Sequence, residues 1–280
     1  MGYALAATVV VGMFAAFNLL RTSGPAAVQV ASIDKSVGPV YVLGEQAELR
    51  ETGGLSVIMS GQTVVTGADA GLAVAWGDGG SLRLDEKTRV EFVDQESIFL
   101  HGGRVYFDSR DAALASGAVP GDVPVFLLHT ELGRVQHVGT QYMVRIDGND
   151  LVISVREGEV LIDGDYFDHS AVSGEQVTLS GRQRPSVLSI AANSGDWEWI
   201  EETTPVVDVD GRNLHEFLSW VSRELGLQLT FVGDAESVAR GAVLRGTIDT
   251  RPADALRMRL ASAALAWRIE EGVIYVGGEP

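Results

Sequence analysis

The chain has no cysteine among its 280 residues, which excludes disulfides and thiolate metal sites without identifying a compartment. Basic residues are scarce: 21 Lys and Arg stand against 38 Asp and Glu, a formal charge of −17. Nucleic-acid binding needs clustered cations facing the phosphates, so that class is excluded. An anionic membrane surface is equally a poor partner for the bulk of the chain, and the acidic excess reads as solubility. The sequence lacks a GxSxG elbow, a GxxxxGK[ST] phosphate loop and an HExxH helix. His129 and His137, eight positions apart, could share a strand face, but no carboxylate accompanies them at ligand spacing, and they read as surface or rim residues. Acidic pairs such as Asp85-Glu86 and Glu201-Glu202 arise by chance in so acidic a chain. Asp147, Asn149 and Asp150 around Gly148 fall short of the twelve-residue calcium pattern. The expectation is a non-enzymatic protein with no catalytic residue, no cofactor and no metal.

What is present starts with an apolar run, Ala4 to Leu20. It sits at the short end of the roughly 17–25 residues that cross a bilayer. Met1-Gly2-Tyr3 offers no basic region of the kind that precedes a signal peptide, so residues 1–21 are expected to be a single transmembrane anchor. Residues 22–35, with Gly24-Pro25, read as a tether.

From Ser36 the chain becomes a series of short alternating runs. The clearest spans Gly61 to Asp85: apolar and polar residues alternate around Leu72, Val74 and Trp76, break at Gly77-Asp78-Gly79-Gly80, and alternate again through Leu82 and Leu84. Period two around a Gly/Asp turn predicts a β-hairpin with one buried face. Further strands are expected at Val37–Leu43, Ala47–Arg50, Ser56–Met59, Gln62–Val65, Thr88–Val93 and Ser97–Leu100, followed by a turn at His101-Gly102-Gly103 into Arg104–Asp108. Val125 to Arg145 reads as a strand to Thr130, a turn at Gly133, a strand to Val138, and a third strand opened by Gly139-Thr140. Val152–Val160, with a turn at Arg156-Glu157-Gly158, and Val172–Leu179, with Gly174-Glu175, follow in order. Glycine supplies the positive φ that tight turns require, and many short strands with regular turns predict a two-sheet sandwich.

Four of these stretches, in this order, resemble the FecR family of bacterial envelope proteins. The residues that carry the resemblance are Thr66, Gly67, Asp78 and Gly79 in the first motif, Gly103 in LHGGRVYFDS, Gly133, Gly139 and Thr140 in the third, and Gly158 and Gly174 in the last. The resemblance implies a jelly-roll-like β-sandwich over residues 36–180. It also implies a relay that passes an outer-membrane signal to a cytoplasmic sigma factor. Regulators of this family often carry a cytoplasmic helical arm, so contact with a sigma factor is expected only if such an arm lies upstream of Met1.

Residues 181–205 are polar at the start and read as a linker. Within them Trp197 and Trp199, at alternate positions, fit one buried face of a strand better than an exposed partner platform. After Val206 the period changes. Leu214, Phe217, Leu218, Val221 and Leu225 fall at helical spacing and end at Gly226. A second helix is expected after Thr250, with Pro252 in its first turn and Leu256, Leu260 and Ala264 on one face. Strands at Leu227–Val232, Val243–Ile248, Trp267–Glu270 and Val273–Val276 complete a βαββαββ order over residues 206–280. This order, with Val207-Asp208-Val209, Leu244-Arg245-Gly246-Thr247 and Asp254-Ala255-Leu256, resembles the short N-terminal module of secretins and signalling TonB-dependent transporters.

Together these features predict a mainly β protein with a small C-terminal α/β module. It is expected to be anchored once in the inner membrane through residues 4–20, with its bulk in the periplasm of a Gram-negative bacterium. The resemblance implies a TonB-dependent receptor's periplasmic signalling domain as partner. Strand pairing along Val243, Leu244, Arg245, Gly246, Thr247 and Ile248 is the expected mode. A glycan-binding envelope module, with Trp76, Tyr106, Tyr142, Tyr166 and Phe167 as candidate contacts, and a structural part of a secretion assembly are the alternative readings.

Overall fold

The computed structural model describes residues 27–43, 49–51, 55–76, 80–109, 126–164, 166–263 and 265–278. The expected membrane anchor lies outside these residues. Among the described residues no helix is long and apolar enough to cross a membrane.

The protein is mainly β. Its first part contains β1 (Gln29–Val37), β2 (Val40–Leu43), β3 (Leu49–Glu51), β4 (Val57–Met59), β5 (Gln62–Thr66), β6 (Gly71–Trp76) and β7 (Gly80–Leu84). It continues through β8 (Arg89–Phe92), β9 (Ser97–Asp108), β10 (Leu127–Thr130), β11 (Gly133–Asp147), β12 (Asp150–Gly164), β13 (Asp168–Val172), β14 (Glu175–Ser180) and β15 (Ser186–Ser189). All fifteen belong to one hydrogen-bonded network whose main path is β15-β14-β12-β11-β10-β9-β7-β6-β1-β4. The strands enclose one apolar core in which Ile58, Leu72, Val74, Leu82, Leu84, Phe92, Ile98, Leu100, Val144 and Ile153 are inaccessible to solvent.

The tether expectation fails from Gln29 on. β1 pairs with β6 and β4, and Val30 and Ala31 are buried in the core. Two expected turns are also absent. His101-Gly102-Gly103 lies inside the continuous strand β9, where a register shift opposite Arg89 and Val90 accommodates the extra residue. This lets β9 pair with β8 in its first half and with β7 and β11 in its second. Gly103 has φ +91°, and a Cβ there would lie 2.4 Å from Thr88 Oγ1 and 2.5 Å from Thr88 Cα. Only glycine fits both the backbone and the space. Likewise β11 passes through Gly139-Thr140 as a register shift between Val138 and Gln141, and β12 runs through Glu157-Gly158. Extra residues are absorbed as bulges, which bend long strands around the core without ending them.

Residues 181–205, expected as a linker, are built into the fold. β15 pairs with β14, and a 3₁₀ turn at Gly195–Trp197 leads into a one-turn helix, α1 (Trp199–Glu202). Trp197 and Ile200 are buried with Tyr106, Met143 and Ile190 in a second apolar cluster. The two tryptophans therefore sit on helical turns, not on a strand.

The last part contains β16 (Val207–Asp208), α2 (Leu214–Leu225), β17 (Gln228–Phe231), α3 (Ala235–Gly241), β18 (Thr247–Ile248), α4 (Pro252–Ala263), β19 (Trp267–Glu270) and β20 (Val273–Val276). The order is βαβαβαββ, with α3 unanticipated: its buried residues are only Ala235 and Ala239, too small to print an amphipathic pattern. α2 has a capping box in which Asn213 and Glu216 exchange side-chain bonds to backbone N–H groups. It ends at Gly226 in the left-handed conformation, φ 63°. Leu214, Phe217, Leu218 and Val221 pack with Leu256, Leu260, Ile274 and Val276 into a third core.

Candidate functional site

Two features stand out, one at the surface and one buried. The surface feature is the stretch Val243–Ile248. Only Thr247 and Ile248 form a regular strand, paired with β16. Val243 makes an isolated bridge to Asn213, so the expected six-residue strand is shorter and less regular. Its backbone still alternates. Val209 N–H donates to Gly246 O at 3.0 Å, Gly211 N–H to Leu244 O at 3.1 Å, and Leu244 N–H to Arg212 O at 2.8 Å. Leu244 and Gly246 thus face residues 207–213, while Val243 and Arg245 turn their backbone groups to the other side. The side chains alternate as well: Ile248 is buried and Leu244 packs on the third core, whereas Val243 is 64% exposed. Among the described residues this edge is paired on one side only, which leaves the other side to a further strand.

The buried feature lies where α2 meets the sheet. Glu224 is almost fully buried, and Arg83 on β7 is fully so. Arg83 Nη1 donates to Glu224 Oε2 at 2.8 Å and Nη2 to Oε1 at 2.9 Å, a two-bond fork. Arg83 Nη1 also donates to the Ile200 carbonyl at 3.2 Å, and Thr204 Oγ1 lies 3.3 Å from it. Beside this pair, Arg156 on β12 donates from Nε to Ala192 O at 2.7 Å and from Nη1 to Glu224 O at 3.0 Å, with its guanidinium over the Trp197 ring. Burial pulls the Arg156 pKa below its ordinary range, against the Tyr106 and Glu224 contributions. Arg223 pairs with Asp108 and with Glu157. Burial lowers its pKa too, but the Asp108 and Glu157 charges outweigh that and raise it overall. Asp108 is held in turn by Gln141 Nε2 at 2.7 Å. Gly226 closes the junction: a Cβ there would come within 2.0 Å of Ala192 O.

Beside this junction, every residue of β6 and β7 is buried except the half-buried Ala75. Ala73, Ser81 and Arg83 alternate with the core residues, yet all three are buried, and Arg83 is bonded to Ile200 O on α1 and to Glu224 at the end of α2. The expectation of one buried face is corrected: the hairpin is buried on both.

The family-motif residues separate into structural staples instead of one site. Thr66 is buried; its Oγ1 donates to Asp85 O at 2.5 Å and accepts from Thr88 N–H at 2.8 Å. Thr88 in turn packs against Gly103. Gly67 N–H donates to Pro39 O. Thr140 N–H donates to Ser109 Oγ at 2.7 Å, next to the β11 register shift at Gly139. Gly174 N–H donates to Val155 O, and Gly158 O accepts from Ser173 N–H, so these two glycines shape one turn. Gly133 faces the Asp163 backbone across β12. Asp78 and Gly79 lie outside the described residues.

The other candidates do not converge. Trp76, Tyr106 and Tyr142 are core residues; Tyr166 is exposed and Phe167 half-buried. His137, expected at the surface, is buried against Phe107, Phe126 and Tyr142, and burial depresses its pKa to about 4 against a backbone hydrogen bond at Phe126. His129 stays half-buried on β10. Asp147 and Asp150 face each other across a two-residue hairpin turn at Gly148, φ 61°. Among the described residues no cluster of three His, Asp or Glu could hold a metal.

Comparison with protein families matches residues 62–161 to the FecR protein family. No curated protein matches the chain. Two crystal structures of a protein from Parabacteroides distasonis ATCC 8503, provisionally named an anti-sigma factor, are similar. One, at 2.50 Å, is 15% identical with a TM-score of 0.40; the other, at 1.65 Å, is 14% identical with a TM-score of 0.41. Each alignment covers 78% of this chain and 99% of the other. The matched stretch runs from β5 through β12 and holds Thr66, Gly103, Gly139 and Gly158, so over residues 62–161 the chain is FecR-like.

Proposed function

We propose that the chain is a non-enzymatic signal-relay protein that regulates an extracytoplasmic-function sigma factor. It does so by contact with the periplasmic signalling domain of an outer-membrane TonB-dependent receptor. The match to the FecR family over residues 62–161 supports a role in sigma-factor regulation. The observation that carries the contact itself is the Val243–Ile248 edge, bonded along one side to residues 209–213 and open along the other. A strand from the partner adds to that open side through Val243 and Arg245, while Leu244 and Ile248 keep the edge rooted in the core. In this reading residues 1–21 anchor the chain in the inner membrane, residues 36–180 form a jelly-roll-like sandwich, and residues 206–280 are the secretin/TonB-like module that faces the receptor.

Titrating residues 26–280 with periplasmic signalling domains from the same organism, followed by calorimetry, tests the proposal. Saturable binding that is lost when an edge residue is changed supports it. Absence of binding to any of them overturns the receptor contact.

A further inference from the structure

β15 ends the main path of the sheet, and among the described residues it pairs only with β14. All of its residues are exposed, Leu188 at 60%. The direction of its backbone groups follows from the ladder. Ile190 N–H donates to Gly174 O at 2.8 Å. Bonding alternates along an antiparallel pair, so Ser186 and Leu188 bond to β14 in the register Ser186↔Thr178 and Leu188↔Gln176. Val187 and Ser189 turn both N–H and C=O to the free side. Pro185 shares their parity and has no N–H to offer there. At the other end Ser194 N–H donates to Ala191 O, and the chain turns towards Trp197. The free side is a short window with two donors, Val187 and Ser189.

That window is complementary to itself. With a two-fold axis at Leu188, antiparallel pairing sets Val187 of each copy opposite Ser189 of the other. Both of these pairs exchange N–H···O bonds, so every free-side donor of both copies finds an acceptor. Leu188 meets Leu188 of the second copy as a non-hydrogen-bonded pair, the closer kind, and the exposed side chain is covered. Moving the axis to Val187 would set Ser189 against Pro185, which cannot return its bond. Charge agrees with the same arrangement. The chain carries −17, yet residues 181–195 contain no Asp or Glu, so two copies meet here without acid facing acid. The two-fold axis also keeps Arg182 and Arg184 of the two copies at opposite ends of the paired strands. Edge strands are commonly guarded by charge or by proline; β15 itself carries no charge, and Pro185 stands at its entrance without blocking the window.

We propose that β15 is a self-association edge: two copies of the chain pair antiparallel through Ser186–Ser189 about a two-fold axis at Leu188, joining their sheets into one. The contact is isologous and closes at two copies. It is short, so the dimer is weak and depends on concentration. It uses neither the Val243–Ile248 edge nor a receptor, and it goes beyond the proposed function without resting on it.

The absence of cysteine lets single thiols report the register in the full chain. Leu188→Cys would bring two Cα atoms to about 4.5 Å across the axis, within the roughly 4.4–6.8 Å that a disulfide spans. Val187→Cys, one residue away and also exposed, lies diagonal to its counterpart at about 7–8 Å, beyond that reach. Val243→Cys, 64% exposed on the other open edge, is the control for random collision. All three positions are exposed, so each variant is expected to fold. Under mild oxidation Leu188→Cys should give about tenfold or more covalent dimer than either of the others. Equal cross-linking at all three positions, no dimer from Leu188→Cys, or more dimer from Val187→Cys than from Leu188→Cys overturns the pairing about Leu188. Because no receptor is added, failure here leaves the docking reading untouched.

Discussion

Arg83 and Glu224 are 141 positions apart and meet through two hydrogen bonds of 2.8 and 2.9 Å in a site closed to solvent. Removing one partner leaves the other charge buried, whereas removing both leaves an apolar gap that methyl groups can fill. Arg83→Met and Glu224→Gln are each expected to cost about 3–5 kcal/mol of stability. Arg83→Met/Glu224→Met should lie within about 1–2 kcal/mol of the parent. Urea unfolding of the four proteins checks this; a double variant as unstable as the sum of the singles would show that the fork is not a coupled pair.

His137 makes stability depend on acid. Its folded pKa is held near 4 by burial, below its ordinary value of 6.5. Between those values the unfolded chain takes up a proton that the folded chain refuses. Stability from this residue is therefore full above pH 6.5, falls as the pH drops towards 4 and is flat below that, a change of up to about 3 kcal/mol. His137→Phe, which preserves the ring packing with Phe107 and Phe126, should remove about one proton from the pH slope over that window. Equal slopes for parent and variant would refute the assignment.

Gly103 carries two costs that can be separated. At φ +91° any side chain is strained, and a Cβ would meet Thr88 at 2.4 Å. Gly61 has φ +78° but no atom within 4 Å of the same position. Gly61→Ala should cost about 1 kcal/mol from backbone strain alone, and Gly103→Ala about 2–3 kcal/mol or more. Similar losses at both positions, read from thermal unfolding, would mean that the Thr88 contact gives way without penalty.

Much of the architecture was legible in the residues because it is written in local periods. The strands around Leu72 and Leu82, the helix from Leu214 to Leu225 with its Gly226 stop, and the closing hairpin at Trp267–Val276 all follow from apolar spacing and a turn residue. The junction was not legible, for a physical reason. Arg83 and Ser81 alternate with apolar neighbours as solvent-facing residues do, and nothing nearby in sequence shows that both are buried or that Glu224 and Thr204 bond Arg83. Trp197 and Ile200 were the available hint, since so apolar a group inside a polar stretch needs a surface to pack against. The bulges at Gly103 and Gly158 read as turns because glycine with positive φ serves both.

The open edge at Val243–Ile248 gave only its position away in the sequence. That Leu244 and Gly246 face inward, and Arg245 outward, required the bonds to Gly211, Arg212 and Val209.

The measurement that bears most directly on the relay is the affinity of Arg245→Pro for a receptor's periplasmic signalling domain, compared with the parent. The Arg245 N–H points away from residues 207–213, so proline removes a donor that only an added strand would use. The account predicts an unchanged circular dichroism spectrum with binding weakened about tenfold or more, the equivalent of at least one lost hydrogen bond. A folded Arg245→Pro chain that binds as tightly as the parent would contradict docking along this edge.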